Sequence, residues 1–193
     1  ICTDFHSSWR KDVFPFYKAH RKVAREKQKK ESGLDWSALF DTISRIIVEI
    51  DMFFPYKVIR VAHAEGDDVI AVLARSFKEP TLIVSSDKDF SQLHKHKWVK
   101  QWSPLKSKMV NGIDPYKYLK EHTIRGDKGD GIPNALSADD CIVEGVRQKA
   151  ISKKKVATWM EINPKDFNDD LKRGWDRNKV LIDFDCIPKK IND

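Results

Sequence analysis

The feature that most constrains this chain is a short apolar segment that ends at acidic residues and that occurs more than once. Residues 57–62 (KVIRVA) are followed by Glu65, and residues 81–85 (TLIVS) are followed by Asp87. A stretch of apolar residues at helical spacing separates the two segments. Because a strand, a helix and a second strand in succession are typical of a parallel sheet, the sequence predicts an α/β fold with a mostly parallel central sheet flanked by helices.

Further acids follow the same pattern elsewhere in the chain. Asp4 closes the first apolar run, and a Gly-rich turn of sequence RGDKGDG contains two more. Since the carboxyl ends of parallel strands lie along one edge of a sheet, we expect these acids to converge there. The predicted cluster comprises Asp4, Glu65, Asp67, Asp68, Asp87, Asp89, Asp127 and Asp130.

So many carboxylates in one place require cations, because like charges raise each other's proton affinity. Oxygen ligands favour Mg²⁺ or Mn²⁺ over zinc, and two such ions roughly 3.5 to 4 Å apart can hold the attacking and leaving oxygens of a phosphodiester. We therefore expect two Mg²⁺ ions, for which Mn²⁺ could substitute. Each acid alone also has a structural interpretation, since Asp67 and Asp68 begin a predicted helix and residues 87–89 could be an ordinary turn.

The densest run of positive charge lies at residues 18–30, where Glu26 is the only acid. The whole chain of 193 residues carries a net charge of +7, which suggests a polyanionic partner. Aromatic residues precede the run, and aromatics beside cations suit single-stranded nucleic acid. A solvated helix face is the alternative interpretation. The predicted phosphate-contacting residues are Lys22, Arg25, Lys27, Lys29 and Lys30.

Several other segments predict secondary structure. After Asp35, a predicted N-cap, apolar residues follow at helical spacing to Ile50, and we expect this helix to face a core. Residues 90–94 could begin a helix, residues 98–102 are typical of a strand, and residues 115–121 of a helix that opens with proline. The rest of the chain is helical and basic.

No apolar run is long enough to span a membrane, so we expect no membrane partner. The three cysteines are widely spaced, which argues against a disulfide framework and against a zinc site. This pattern favours a reducing cytoplasm.

In their order along the chain, the motifs resemble the flap-endonuclease, or 5′-3′ exonuclease, superfamily. The segments SSDKDFSQLHK, KQWSP and VLIDFDCIP are similar to its phage ribonuclease H branch, and the resemblance covers nearly the whole chain. The motifs are Asp4, residues 17–21 (YKAHR), residues 65–68 (EGDD), residues 86–93 (SDKDFSQL) and residues 126–133 (GDKGDGIP).

The resemblance implies an α/β nuclease domain over residues 1–112, with a basic helical arch near residues 15–35. Residues 113–193 would form a helix-turn-helix-like DNA-binding region. Lys18 and Arg21 match catalytic cations that approach the scissile phosphate, and Tyr17 matches a residue that stacks on nucleic acid. The implied metal ligands are Asp4, Glu65, Asp67, Asp87 and Asp89, with Asp68 a nearby acid and with Asp127 and Asp130 supporting the second metal.

The resemblance also implies an activity. We expect metal-dependent hydrolysis of phosphodiester bonds near the 5′ ends of RNA primers in RNA/DNA duplexes and of DNA flaps, during replication in the cytoplasm of an infected bacterial host. The implied partners are DNA and RNA/DNA hybrids, with a single-strand-binding protein or a sliding clamp as further candidates. Two alternatives stay open, namely a PIN-class ribonuclease and a non-catalytic, structure-specific DNA-binding protein.

The chain departs from the family pattern in two places. It opens at Ile1 without Met and supplies no Asp from an earlier strand, so we expect a fragment that lacks the first strand and the C-terminal end. Such a fragment should bind DNA but cleave it poorly. Residues 134–146 (NALSADDCIVEGV) replace the Gly-rich hairpin that grips duplex DNA in the family, which makes duplex binding a weaker expectation than the acidic site.

Overall fold

Three short strands form the sheet of this protein. In the computed structural model, which describes residues 1–192, β1 (Thr81–Val84) pairs in parallel with β2 (Val99–Ser103). The second strand also pairs in antiparallel orientation with β3 (Lys108–Met109). Helices pack around this sheet, so the predicted α/β class is confirmed.

Eight α-helices are present in residues 1–192, together with three 3-10 helices. The segment at residues 90–94 forms part of one 3-10 helix, Asp89–Lys95, rather than the start of an α-helix. The other two are Pro164–Asp166 and Phe184–Cys186. The α-helices are α1 (Trp9–Val13), α2 (His20–Ser32), α3 (Trp36–Phe53), α4 (Gly66–Ser76), α5 (Pro115–Arg125), α6 (Lys153–Glu161), α7 (Asp169–Ile182) and α8 (Lys189–Asn192).

The prediction of a strand at residues 57–62 is wrong. Only Ile59 pairs, in a single parallel bridge with Cys2. The segment ends early because the chain turns after it: the Ala64 amide donates to the Val61 carbonyl at 3.1 Å, and His63 adopts a left-handed conformation with φ of 60°. One bridge is too short for a strand, although it still brings the segment alongside the start of the chain.

The long helix α3 is present as predicted, but it does not face a core. The Asp35 side chain caps it by accepting hydrogen bonds from the Ser37 and Ala38 amides. None of its residues is buried, and Ile46 and Phe53 are 49% and 74% exposed. Helical spacing establishes that one face is apolar, but it does not establish what covers that face.

The core beside the sheet contains residues from several distant segments. Val69 and Ala71 of α4 pack there with Ile83 of β1. The same cluster includes Phe90 and Phe184, whose rings stack with centroids 6.0 Å apart. The carboxyl ends of the strands are therefore supported by α4 and by the C-terminal part of the chain.

The C-terminal helices build a second cluster against α5. Phe167, Leu171 and Trp175 bury their side chains there, against Ile124 of α5. The close packing of α7 requires Gly174, because a Cβ atom at this position would lie 1.9 Å from the Ala135 carbonyl oxygen. Helix α7 is thus fixed against the segment that follows α5.

Among residues 1–192, no helix is both long enough and apolar enough to cross a membrane.

Candidate metal centre

The first group of acids lies directly after β1, in a backbone that β2 holds in place. The side chain of Gln101, which is fully buried, donates hydrogen bonds to the carbonyls of Ser85 (2.9 Å) and Asp87 (2.6 Å). The Asp89 amide then donates to the Asp87 side chain at 2.9 Å. These contacts set the positions of both aspartates at the carboxyl end of the sheet.

The second group of acids lies at the start of α4. Glu65 is the N-cap, and its side chain and that of Asp68 form a capping box. The next amide, that of Gly66, donates to the Asp4 side chain at 2.8 Å, which brings the N-terminal acid to the same helix end. Asp67 follows in the first turn, so two acidic segments meet here.

Asp68 is not available as a metal ligand, which corrects the expectation from the sequence. It is completely buried, and both of its oxygens accept hydrogen bonds from Arg10, at 2.7 and 2.9 Å. The Trp9 indole and the Glu65 amide also donate to it, each at 3.0 Å. Its role is to cap α4 and to neutralise a buried guanidinium.

Arg10 holds several groups of this site together, although it is not among the residues predicted from the sequence. It is 4% exposed and donates to Glu65 at 3.1 Å as well as to Asp68. Its Nε donates to the Leu181 carbonyl at 2.7 Å, which ties the acids to α7. Arg10 lies outside the basic run at residues 18–30. Its contacts are therefore visible only in the fold.

Tyr17 cannot stack on nucleic acid in this conformation, so that expectation is also wrong. It is 2% exposed, and its hydroxyl lies 2.7 Å from Glu65 Oε2 and 2.8 Å from Asp130 Oδ2, so that its one proton is donated to either acid. The pKa of Tyr17 is raised, first by burial and then by these two acids. The buried Tyr17 hydroxyl therefore connects the segment of Glu65 with that of Asp130.

Lys18 and Arg21 lie over the same acids. Lys18 Nζ is 2.6 Å from Glu65 Oε1 and 3.6 Å from Asp130 Oδ2. Arg21 donates to Asp130 at 2.7 Å and to the Gly129 carbonyl at 3.0 Å. Burial opposes the charged form of Glu65, but Lys18, Arg10 and Tyr17 outweigh it and keep its pKa below the ordinary value.

The Gly-rich segment GDKGDGIP forms a tight loop after α5. Gly126 has φ of 69°, and a Cβ there would lie 2.4 Å from the Pro133 carbonyl oxygen, so the turn requires glycine. The Asp127 side chain accepts from the Asp130 amide at 3.2 Å. From α7, Asn178 donates to the Pro133 carbonyl at 2.9 Å and holds the loop against the acids.

Five of the eight predicted acids lie around one cavity. This small cavity is lined by Glu65, Asp67, Asp89, Asp127 and Asp130. The pKa of Asp67 is raised to about 7, first by burial and then by the charge of Asp87, with Asp4 and Glu65 adding to the shift against the opposing effect of Lys18. A divalent cation bound among these acids would offset the repulsion between like charges that contributes to this shift.

Two further residues, Tyr118 and His122, lie at this centre and are not among the residues predicted from the sequence. They are four residues apart on α5, so they lie on one helical face, which points at the loop that begins at Gly126. His122 Nε2 lies 3.3 Å from Asp89 and 3.5 Å from Asp127. Their four-residue spacing, just before the GD motif, is a signal that the sequence does contain.

The close contact between His122 and the two acids changes the pKa values of all three groups. Burial opposes protonation of His122, but the neighbouring Asp127 and Asp89 outweigh it and raise its pKa. In return, His122 lowers the pKa of Asp127. The pKa of Asp89 is raised, because its burial and the charges of Asp87 and Asp127 outweigh the effects of His122 and Tyr118.

The predicted phosphate-contacting residues all lie on α2, which begins beside the acids. An open cleft is lined by the acids Asp4 and Glu65 and by the cations Lys18, Lys22 and Arg25. Lys22, Lys29 and Lys30 are exposed. Two of the predicted cations have partners, since Arg25 lies over the rings of Trp36 and Phe40, and Lys27 Nζ is 3.7 Å from Glu31.

The chain is similar in sequence to known nucleases. Residues 1–123 match the family described as the 5′-3′ exonuclease, N-terminal resolvase-like domain. Ribonuclease H of Enterobacteria phage T4 is 34% identical over 209 residues, an alignment that covers 99% of this chain and 66% of the phage enzyme. Flap endonuclease Xni of Shewanella sp. strain MR-4 is 35% identical over 137 residues, which cover 65% of this chain and 47% of that protein.

Solved structures show the same fold. A bacteriophage T5 flap endonuclease in a pseudo-enzyme-product complex with DNA and metal ions superposes with a TM-score of 0.66 at 16% identity, covering 98% of this chain and 78% of that chain. A second T5 structure, co-crystallised with metal ions, gives a TM-score of 0.63 at 18% identity, covering 94% of this chain and 73% of that chain. By length, this chain spans just under two thirds of the T4 enzyme and about half of the Shewanella enzyme.

Proposed function

Because this chain belongs to the 5′-3′ exonuclease family, we propose that it is a metal-dependent 5′ nuclease that hydrolyses phosphodiester bonds. Its substrates would be RNA primers in RNA/DNA duplexes and DNA flaps, cleaved near their 5′ ends during replication. The named relatives, a ribonuclease H and a flap endonuclease, support both substrate classes. The site of action would be the cytoplasm of a bacterial host.

One observation carries this proposal. Acids from separate segments line one cavity, and a cleft that shares Tyr17 and Glu65 with it is also lined by basic residues. Burial and the charge of the neighbouring Asp87 raise the pKa of Asp67 to about 7, and a bound divalent cation would offset this effect. A structural role for each acid alone would not bring them to one place.

The donor set fits hard divalent cations, because it consists mainly of carboxylate oxygens. We assign Asp4, Asp67 and Asp87 to one Mg²⁺ position and Asp89 and Asp127 to the other. Glu65 and Asp130 already accept hydrogen bonds, but a carboxylate has about four acceptor sites, so they retain capacity to support either ion. When bound, the two ions would supply the nucleophile and stabilise the leaving oxygen.

The chain's own cations would then act on the substrate. Lys18 and Arg21 lie between the acids and the cleft, so a phosphate that enters the cleft meets them first. Both are ion-paired with acids in the structure, and metal binding would compete with those pairs. The released ammonium and guanidinium would stabilise the charge that develops on the scissile phosphate.

The rest of the molecule would hold nucleic acid. Residues 1–112 would form the nuclease domain, in which the basic helix α2 contacts the single-stranded 5′ end. Residues 113–193 would contact duplex DNA, and Lys153, Lys154 and Lys155 are exposed at the first turn of α6. Cations at a helix N-terminus oppose the helix dipole, so these lysines fit a binding role better than a stabilising one.

The direct test is Asp87→Asn in the natural protein. We expect cleavage of a 5′-flap DNA and of an RNA-primed duplex to fall by at least about 100-fold with Mg²⁺, because a site of this kind supplies several kcal/mol to the transition state. Asp166→Asn, at an exposed acid away from the cavity, is the matched control and should cleave normally. Circular dichroism and metal-free DNA binding should be unchanged in both variants.

Near-normal cleavage by Asp87→Asn at saturating Mg²⁺ would exclude the assigned site. If the natural protein bound flap DNA with no cleavage by either Mg²⁺ or Mn²⁺, the alternative of a non-catalytic DNA-binding protein would be correct.

A further inference from the structure

We propose that His122 is a nitrogen ligand of one metal position, and that it makes this position prefer Mn²⁺ and similar transition ions over Mg²⁺. The inference deepens the proposed function and rests on it. It departs from the expectation of a site with oxygen ligands only. The position is formed by three side chains, Asp89, His122 and Asp127, each of which offers one ligand atom within 4.8 Å of the others.

The geometry around the imidazole is that of ligand atoms that surround a common centre. Nε2 lies 3.3 Å from Asp89 Oδ1 and 3.5 Å from Asp127 Oδ2. Ligands about 2.1 Å from a metal lie roughly 3.0 to 3.5 Å from one another, the range of both distances. Nε2 is also a buried atom without a hydrogen bond of acceptable geometry. Buried polar atoms usually have a hydrogen-bond partner or a bound ion. A metal ion would be such a partner for this nitrogen.

The surroundings hold the imidazole and one carboxylate in position. The rings of Tyr118 and His122 stack with centroids 5.5 Å apart and planes at 23°. The Tyr118 hydroxyl donates to Asp89 Oδ1 at 2.8 Å. One face of α5 therefore orients both ligands, while the loop after Gly126 supplies Asp127. Such outer contacts are typical of metal-binding sites in proteins.

The chemistry of the ligand predicts the selectivity. Imidazole suits first-row transition ions, whereas Mg²⁺ keeps oxygen ligands and water. A site with two carboxylates and one imidazole should therefore discriminate between Mn²⁺ and Mg²⁺ more strongly than a site of carboxylates alone.

His122 has a competing role that the same contacts permit. As an imidazolium, it could neutralise Asp89 and Asp127 and leave when a metal arrives. The two roles make opposite predictions for removal of the imidazole: loss of a ligand weakens Mn²⁺ binding, whereas loss of a competing positive charge strengthens it.

The test measures Mn²⁺ bound to the natural protein without nucleic acid. Pulsed electron paramagnetic resonance should show coupling of the bound Mn²⁺ to a ¹⁴N nucleus in the wild type, and His122→Gln should abolish it. We expect this substitution to weaken Mn²⁺ binding at this position by about tenfold or more, and Mg²⁺ binding by less than about threefold.

His96→Gln is the matched control. His96 also has a buried Nε2 without a hydrogen-bond partner, and its ring stacks on an aromatic side chain, Trp98, with centroids 4.9 Å apart. This substitution should leave the nitrogen coupling and the Mn²⁺ affinity unchanged. A second variant, His122→Asp, restores an oxygen ligand and should bind both ions with a smaller preference for Mn²⁺.

The proposal is overturned if bound Mn²⁺ shows no nitrogen coupling, if the coupling survives in His122→Gln, or if that variant binds Mn²⁺ more tightly. Its failure is separable from failure of the proposed function. Cleavage that depends on Asp87, in a protein without nitrogen coupling, would refute only the role of His122. Nitrogen coupling without any cleavage would refute only the nuclease activity.

Discussion

At the scale of residues, the acids of this centre divide by what surrounds them. Glu65 and Asp68 form buried ion pairs with Arg10, whereas the pKa of Asp67 is raised by burial and by the charge of Asp87. All three residues are neighbouring acids of the motif EGDD. The sequence therefore does not distinguish the structural carboxylates from the functional one, and only the fold does. The two residues that the sequence misassigned, Asp68 and Tyr17, are both buried by this arrangement.

Asp67 makes the stability of the metal-free protein depend on pH. A carboxyl whose pKa rises on folding, here to about 7, binds its proton more tightly in the folded state. The free energy of unfolding therefore falls as pH rises from the ordinary value near 4 to about 7. Asp67→Asn should remove its part of this fall, at most about 1.4 kcal/mol for each pH unit.

Urea denaturation in the presence of EDTA, at pH 5 to 8, measures this difference. The raised pKa of Asp89 has the same sign, so a smaller slope should persist in the variant. Asp166→Asn should keep the full slope. Parallel stability curves for the wild type and Asp67→Asn would show that the pKa of Asp67 does not rise on folding.

At the scale of elements, the sequence predicted those whose signals are local. Strands β1 and β2 and helices α3 and α5 are present because apolar runs, an aspartate cap and an initial proline act within a few residues. The segment at residues 57–62 failed because a turn that follows it, at residues 61–64, ends the extended backbone. The prediction that α3 faces a core was wrong because the burial of a helix depends on partners that lie far away in the chain.

The basic helix α2 allows a quantitative test of nucleic-acid contact. Lys22, Lys29 and Lys30 are exposed and have no ion-pair partner among the described residues, so replacing all three with Ala should remove phosphate contacts without removing structure. For a single strand, the slope of log affinity against log salt should become shallower by roughly 0.7 per contact, or about 2.1 in total.

The measurement is a titration of a 5′-flap DNA at several salt concentrations without divalent metal. The control replaces Lys97, Lys189 and Lys190, which are exposed lysines outside this helix, and it should leave the slope unchanged. Equal slopes in both triple variants would mean that α2 is a solvated face, as the alternative interpretation of its charge holds.

At the scale of the whole molecule, the centre depends on parts of the chain that are far apart. Helix α7 contacts the acids through Arg10 and holds the loop at residues 126–133 through Asn178. Asp4, at the other end of the chain, accepts a hydrogen bond from the start of α4. The sequence could predict that the acids meet, because strand ends define an edge. Strand ends do not predict that His122 of α5 lies beside these acids, and its four-residue spacing from Tyr118 before the GD motif is the one sequence signal for it.

The central claim is that these scattered acids form one divalent-metal centre. The most direct measurement is an anomalous difference map from crystals of the natural protein soaked with Mn²⁺. We predict peaks in the cavity lined by Asp67, Asp89 and Asp127, with Asp87 and His122 next to them. A map without peaks in this cavity, from crystals whose surface acids do bind Mn²⁺, would contradict the account.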